Sequence, residues 1–540
     1  MQNSKIMKKI KQVIFIFAAL LLIGGCDKDF VEVNTDPFAI NEIEPGLLFA
    51  GAQRTYLGGW EGEHTIVQHF VNPFNDGATL FVNFNENVDG FQNGCWNSYT
   101  GSIKEFVHIL HLLEGTTDKV NLHSMTRIWK AQAIMTMVDT YSNVPYFEAG
   151  LAAIMGEEYF YPSYDDDEAI YEDLYNEITD ALDNLNSSGD FVADDLFFGA
   201  NAYYPSNDAA TQVAKWKKLG NSLLLRLGMR YSKLDPTKAE SIVAEAFDGG
   251  VMTSNEDNAF VVYDGTKYTN GANGGLVNNQ PKFYYAAEPF VDHLKATNDP
   301  RSKYMIAMFD DPGDPLGTAV PDVDLEDQFG VPVGVVRTQL PDPPYRGVKE
   351  QGYDYSQMNV NVMASQLAPT FYLTYAQTSL LLAEAAHRGW IPGGETAAQQ
   401  YYEDAIRADM DVMALYISET GSSYAPISEA EQDDYIAQAN VAYNTANALD
   451  LINTQYWVVC LRNGSEAWSN FRRSGYPALN RNEWDDQLLA RGGDGFVHRY
   501  TYPDAELSQN KTNYQAAVAA LEGGIDDMIN RVFWDVELLP

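Results

Sequence analysis

Three things are scarce in this 540-residue chain: cysteine, positive charge and long apolar runs. The three cysteines, Cys26, Cys95 and Cys460, are too few and too far apart for a disulfide framework. Cys95 and Cys460 could form one bridge, but two buried thiols are the expectation. Lysine and arginine total 35 against 75 aspartates and glutamates, a net charge of −40. Such a surface repels nucleic acid and anionic lipid, so neither is an expected electrostatic partner. The one strongly apolar run, Val13 to Ile23, is about half of the ~20 residues that span a bilayer. Catalytic signatures are missing too. There is no Gly-x-Ser-x-Gly elbow, no His-Glu-x-x-His pair and no glycine-rich phosphate loop. His64 and His69, five apart near Glu61 and Glu63, do not follow a zinc spacing. With 75 acids, a pair at glycosidase separation would arise by chance, so carboxylates alone do not argue for an enzyme.

What is present begins with a basic stretch, Lys8-Lys9-Ile10-Lys11, the apolar run, and then Leu22-Ile23-Gly24-Gly25-Cys26. The order is that of a secretory signal, and a cysteine after Leu-Ile-Gly-Gly resembles the lipobox of bacterial lipoproteins. Residues 1–25 are therefore expected to be removed and Cys26 to carry acyl chains. At ~0.8 kcal/mol per buried methylene, two or three chains hold a protein firmly on a membrane. Asp27-Lys28-Asp29 resembles the signal that sends some lipoproteins to the cell surface. Residues 26–45, with Asp36-Pro37 and Glu44-Pro45, read as an extended tether.

The rest, 46–540, reads as a single mostly helical domain. Helical periodicity marks a scaffold over about 96–250 and 367–540. Ile103, Phe106, Val107, Leu110 and Leu113 form one stripe; a helix of about 122–141 turns Ile128, Trp129, Met135 and Val138 inward. Helices are expected from Asp165, over about 209–232, from Asp235 to Gly249, from Leu367, over 395–417, 429–443 and 447–462, around Trp468, and over 513–521. Trp96 and Trp468 sit on such stripes and read as core. Paired helices joined by short turns are the unit of helical-repeat architectures. Residues 58–95 and 251–366 lack a clean period and form a loop-rich lobe, with short helices expected only over 289–296 and 301–309. Long irregular stretches inside a compact protein usually carry function.

Aromatic residues are abundant, 13% of the chain, with 33 tyrosines and 9 tryptophans. Sugar recognition needs ring faces against C–H surfaces and amide or carboxylate groups for hydroxyls. Two stretches supply that mix. One holds Trp60, Phe74, Asn75, Asp76 and Phe81. The other, in the insert, holds Tyr263, Tyr268, Asn270, Asn278, Asn279, Gln280, Tyr345, Arg346, Tyr353 and Tyr355. No cofactor is expected. Asp322, Asp324, Glu326 and Asp327 are the oxygens that a structural calcium would use, but they lack the glycine and terminal glutamate of a calcium loop, and a solvated acidic loop is the default.

Several segments together resemble the SusD/RagB family, in its SusD-like nutrient-binding branch. They are Asn34-Thr35-Asp36-Pro37; Asp139-Thr140-Tyr141-Ser142-Asn143-Val144-Pro145-Tyr146; Leu381-Leu382-Ala383-Glu384-Ala385-Ala386; Glu466-Ala467-Trp468 with Arg472-Arg473-Ser474-Gly475-Tyr476-Pro477; Tyr502-Pro503-Asp504-Ala505-Glu506; and Val532-Phe533-Trp534-Asp535. The resemblance implies four tetratricopeptide-like helix pairs as scaffold, an irregular ligand lobe and a non-enzymatic binding role. Its implied ligands are oligosaccharides or, in some members, peptides. Its implied partner is a SusC-like TonB-dependent outer-membrane barrel. Arg472, Arg473 and Tyr476 are expected to be ion-pair and turn partners rather than ligand contacts.

Overall fold

The computed structural model describes residues 44–74, 93–201, 203–204, 208–279, 281–318, 320–335, 337–481 and 492–536. Cys26 and nearly all of the expected tether lie outside them. Pro45–Pro540 form one compact unit. In chain order the longer helices are α1 (Pro45–Ala52), α2 (Lys104–Leu112), α3 (Val120–Tyr141), α4 (Asp167–Asn184), α5 (Ala209–Arg230), α6 (Pro236–Gly249), α7 (Glu288–Ala296), α8 (Tyr375–His387), α9 (Gly394–Thr420), α10 (Glu429–Ile436), α11 (Ala448–Val459), α12 (Gly464–Ser474) and α13 (Lys511–Ala520). None of the described helices is long and apolar enough to cross a membrane.

Their starts are set by side chains that accept the free N–H groups of the first turn. Asp166 accepts from the Ala169 amide at 3.1 Å, Asp208 from Thr211 at 2.8 Å and Asp235 from Lys238 at 3.0 Å. Each such cap stabilises a helix by about 1 kcal/mol. Gly475, at φ 82°, ends α12 in the left-handed region that a side chain would resist.

Successive helices pack in pairs, α3 with α4, α5 with α6, α8 with α9 and α11 with α12, the arrangement that the sequence pattern implied. Of the expected stripe, Ile103, Phe106 and Leu113 are buried and Val107 and Leu110 only half-buried; α2 buries Ile109, which the stripe did not include. Helix α3 is buried on nearly every side, well beyond the single inner face that its periodicity suggested. Trp96 and Trp468 are core residues, and Cys95 and Cys460 are buried free thiols.

Three helical expectations are corrected. The segment from Leu367 begins as a strand, β8 (Thr370–Leu373), and α8 starts only at Tyr375. Thr370-Phe371-Tyr372-Leu373 is β-branched and aromatic, and it pairs with Ala259–Val261. Thr374 then closes a capping box with Gln377, at 3.2 and 3.1 Å. The segment at 301–309 is helical only over Ser302–Met305 before Ile306–Ala307 becomes a strand, and α10 stops at Ile436.

Buried charge ties the pairs together, and the residues that do so are those of the quoted motifs. Asp139 on α3 accepts from Arg230 of α5 at 3.1 Å and from Trp534 at 2.9 Å. Arg230 also reaches Glu466 of α12 at 2.6 Å. Glu384 on α8 receives Arg473 of α12 through two parallel bonds, 2.8 and 2.7 Å, and Asn453 of α11 at 3.2 Å. Arg473 is thus the ion-pair partner expected. Arg472 is held otherwise: it donates to the His498 carbonyl at 2.5 Å and lies between the indoles of Trp468 and Trp534, 4.0 and 4.9 Å from their centroids. The Tyr476 amide donates to Ser474 Oγ at 3.1 Å within the turn.

The lobe is stitched by two-stranded antiparallel ladders. β1 (Phe70–Val71) pairs with β3 (Tyr285–Ala286), Phe70 opposite Ala286 and Val71 opposite Tyr285. β2 (Ala259–Val261) pairs with β8; β4 (Ile306–Ala307) with β7 (Gln357–Met358); and β5 (Val348–Lys349) with β6 (Gly352–Tyr353). A small second core of Val71, Tyr285, Val331, Val335, Leu340, Tyr353 and Tyr355 sits beneath. Asp322 and Asp324 accept from the backbone amides of Asp324 and Glu326 at 2.9 and 3.1 Å, so these carboxylates shape their own loop.

Candidate functional site

The β1–β3 ladder brings the two aromatic stretches together. Each strand is only two residues long, yet the register sets Phe70 and Phe74 beside the segment Pro281-Lys282-Phe283-Tyr284. Two groups of rings result, Trp60–Phe70–Tyr284 and Phe74–Phe283. Trp60 lies 5.5 Å from Phe70, Phe70 lies 5.6 Å from Tyr284, and Phe74 stacks on Phe283 at 4.5 Å and 28°. Phe283 and Tyr284 are chain neighbours and join the two halves. Trp60, Phe74, Phe283 and Tyr284 are half-buried, so each ring is seated in the lobe while part of it meets solvent. Polar groups flank them. Asn72 donates to Glu61 at 3.0 Å, and the Tyr284 hydroxyl, pushed up to about 12 by burial and then by Glu61, stays a donor.

The positions of the sequence-predicted residues divide. Trp60 and Phe74 belong to these groups. Trp60 Nε1 donates to Asn273 Oδ1 at 3.3 Å, a bond between the two stretches. Tyr263 bonds Thr370 at 2.8 Å, and Asn270 donates to the Ala368 carbonyl at 3.0 Å, so both brace the insert against β8. Tyr268 is exposed and lies over the Arg54 guanidinium at 4.9 Å. Asn278 donates to Gln366 at 2.8 Å. Tyr353 is buried, 5.1 Å from Phe74, with its hydroxyl on the Arg337 carbonyl; Tyr355 is buried and Tyr345 packs against the same core. Arg346 covers Phe329 at 3.6 Å. Asn75, Asp76, Phe81 and Gln280 lie outside the described residues, as does the side chain of Asn279. Phe283 and Tyr284 were missed by sequence reading. Their only local signal is a run of three aromatics after Pro281.

Beneath Trp60 the two histidines meet. His64 stacks on Trp60 at 4.6 Å and His69 on Trp457 at 4.7 Å, and their Nδ1 atoms are 3.1 Å apart. His69 Nε2 faces the Trp457 carbonyl at 3.1 Å, and a carbonyl only accepts. His69 Nε2 therefore carries its proton, and His64 Nδ1–H donates to the His69 Nδ1 lone pair. Burial holds both rings neutral, with His64 pushed down to about 3. This pair is a structural hydrogen bond. Gly58, at φ 101°, lets the loop before Trp60 lie against α12, where a Cβ would come within 2.7 Å of the Ser465 amide.

The depressed histidines set a sign for pH. A group whose folded pKa lies below its unfolded value stabilises above the unfolded value, near 6.5, and that contribution is lost as pH falls toward the folded one. His64→Gln is expected to flatten the loss of thermal stability between about pH 6.5 and pH 4 relative to the parent chain. Melting curves across that range check it, and parallel curves for the two proteins would contradict it.

Larger concavities lie elsewhere. A groove of about 990 Å³ on the scaffold is lined by Leu110, Arg127, Lys130, Phe147, Met155 and Glu177. Its Arg127 is already paired with Glu177 at 2.9 Å. A pocket of about 540 Å³ is lined by Tyr203, Tyr204, Phe260 and Phe371, where the Tyr204 hydroxyl is bonded to the Asn258 carbonyl at 2.9 Å. Among the described residues, no three histidines, cysteines or carboxylates converge as a metal site would require.

Comparison with known proteins bears on all of this. A family model described as "Starch-binding associating with outer membrane", SusD-like, matches residues 37–503. No curated protein matches. Among solved structures, the chain is similar to a chitin-binding protein at 28% identity, with a TM-score of 0.74 over 92% of this chain and 100% of that one. It is similar to a Bacteroidetes SusD-like protein at 22% identity, with a TM-score of 0.74 and the same coverage. A chitin-binding SusD homologue from Flavobacterium johnsoniae is 21% identical, with a TM-score of 0.66 over 91% of this chain and 98% of that one. The chain belongs to the SusD-like family of outer-membrane-associated nutrient- and glycan-binding proteins, whose members are binders and not enzymes.

Proposed function

We propose that this protein captures oligosaccharides on the rings of Trp60, Tyr284, Phe283 and Phe74 and passes them to a SusC-like TonB-dependent outer-membrane barrel. The observation that carries the reading is the meeting of the two aromatic stretches across the β1–β3 ladder. Rings from two distant segments are brought together by a short ladder, with an amide and a carboxylate beside them. Apolar ring faces with polar neighbours suit the alternating C–H and hydroxyl surfaces of a sugar. The acidic chain favours a neutral ligand over an anionic one. Two of the structural relatives are described as chitin-binding, which places N-acetylated glycans on the panel to be tried. Calorimetric titration with neutral glycans and with peptides tests the reading. Heat with glycans alone supports it, and heat with peptides alone overturns it.

The tether and partner rest on the lipobox and on family membership. Acylation at Cys26 would hold the body at the outer membrane beside a barrel, raising the local concentration of captured ligand without new contacts. Cys26→Ala is expected to release the protein from membranes and impair uptake while leaving its affinity in solution unchanged. Fractionation and titration of the same variant check both halves.

A further inference from the structure

The pocket of about 540 Å³ is lined by none of the rings proposed to hold sugar. It opens between the start of α5, the C-terminal half of α9 and strand β2. Small-molecule sites occupy about 300–1,000 Å³, so its volume suits a whole ligand. The floor is aromatic. Phe260 stacks on Phe371 at 5.3 Å, a pair that the β2–β8 register sets opposite each other. Tyr203 meets Phe260 at 5.3 Å and 73° and is 37% exposed. Val412 and Leu415 of α9 add an aliphatic side.

The polar groups of this floor are already spent. The Tyr204 hydroxyl donates to the Asn258 carbonyl at 2.9 Å. The Asn258 side chain donates to Asn255 at 3.1 Å and accepts from the Tyr375 amide at 2.7 Å, and Asn255 donates to the Ala408 carbonyl at 2.8 Å. Gln212 exchanges two bonds with the Val192 backbone, both 2.9 Å. A sugar ring seated here would leave hydroxyls without partners, at a cost for each one buried. An apolar group would not. The rim differs. Glu256 and Asp411 are exposed carboxylates of the pocket wall. The Glu256 side chain makes no hydrogen bond among the described residues, and Asp411 uses one oxygen on Gln432 at 2.7 Å. Carboxylates only accept. Lys215 and Lys218 both donate to Asp257, at 2.9 and 2.7 Å, so two ammonium groups here meet three carboxylates. The surplus is negative, and a bound cation offsets it.

An apolar floor under a rim that only accepts matches an aromatic ring that carries a protonated amine. We infer that this pocket is a second binding site, taking such a ring against Phe260, Tyr203 and Leu415 with its ammonium at Glu256 and Asp411. Two sources share that chemistry, a free aromatic amine and an aromatic residue flanked by lysines in a peptide. The site stands apart from the glycan reading, and neither needs the other.

The test uses three probes of one shape: tryptamine, a cation; tryptophol, neutral; and indole-3-propionate, an anion. Each is titrated against the full chain at low salt and followed by ligand-observed NMR. Tryptamine is expected to saturate and to bind about fivefold more tightly than tryptophol, the worth of exposed charge pairs, with indole-3-propionate weakest. Leu415→Trp fills the pocket and should abolish binding of all three. Glu256→Gln combined with Asp411→Asn changes only exposed side chains and keeps an acceptor for Gln432. It should bring tryptamine down to the level of tryptophol, and it tests the inference even if Leu415→Trp folds poorly. A Lys-Trp-Lys peptide separates the two sources: tighter binding than tryptamine assigns the ring to a peptide, and weaker binding assigns it to a free amine. Equal binding of the three probes, no saturation by tryptamine at millimolar concentration, or a preference for tryptamine that survives loss of both carboxylates overturns the assignment.

Discussion

Glu384→Ala should be among the most damaging single substitutions in the scaffold, lowering stability by about 3–5 kcal/mol. The carboxylate is 1% exposed and receives both terminal nitrogens of Arg473, at 2.8 and 2.7 Å, and Arg388 at 2.8 Å. Burial alone would push its pKa up; Arg473 and Arg388 outweigh that and hold it well below the usual carboxylate range. Removing it leaves the Arg473 guanidinium buried, with only amide and hydroxyl oxygens from Asn453, Asn470 and Ser232 as acceptors. The damage then spreads to three helices, because Glu384 lies on α8, Asn453 on α11 and Arg473 on α12. Arg127→Met is the contrast. Its partners Glu177 and Asp180 are 23% and 60% exposed, and ion pairs that water reaches are worth about 0–1 kcal/mol. Chemical denaturation of both variants separates the cases, and similar midpoints for the two would contradict the account of the core. The Glu384 contribution has a pH sign as well. It is present above the unfolded value near 4.5 and is lost as pH falls below it.

The second large effect concerns the ligand. Replacing Phe74 and Phe283 together by leucine keeps apolar bulk in the lobe but removes two flat faces that stack at 4.5 Å. Affinity for the bound oligosaccharide should fall by about 30-fold or more, on the scale of a hot spot of about 2 kcal/mol. Tyr353→Phe serves as control. It removes only a hydroxyl bonded at 3.0 Å to the Arg337 carbonyl beneath these rings, so affinity should stay within about twofold. A large loss in Tyr353→Phe with none in the leucine pair would place the ligand elsewhere.

Much of the scaffold could be read from residues. Caps such as Asp166, Asp208 and Asp235 mark their helices with a local rule, and apolar periodicity fills in the rest. The motif residues proved to be the buried charges and indoles that lock helix pairs together: Asp139, Glu384, Glu466, Arg473 and Trp534. That is a packing role, and the sequence order alone does not say which acid meets which base. Strand β8 was misjudged because Leu367, Phe371 and Tyr375 fit a helical stripe as well as a strand, and Pro369 with the Thr374–Gln377 box decided it.

The site was half legible. Composition singled out Trp60 and Phe74, and their neighbours could not be named, since a two-residue ladder such as β1–β3 carries no periodic signal. Phe283 and Tyr284 gain their meaning only from that pairing. Tyr353 and Tyr355 looked the same in sequence and became the floor of the lobe, because burial depends on which loops cover a ring. Arg462 stands at the end of a helix-like turn, where nothing local distinguishes it from an exposed arginine. Its burial follows from the rings around it, Phe371 at 5.3 Å and Tyr416 at 5.5 Å, which come from β8 and α9.

The position of a bound oligosaccharide tests the central claim most directly. A crystal structure of the complex is expected to show sugar rings lying across Phe74, Phe283, Tyr284 and Trp60, intact and uncleaved. Sugar in the scaffold groove beside Arg127, or in the pocket walled by Tyr203 and Tyr204, with those rings left bare, would contradict it.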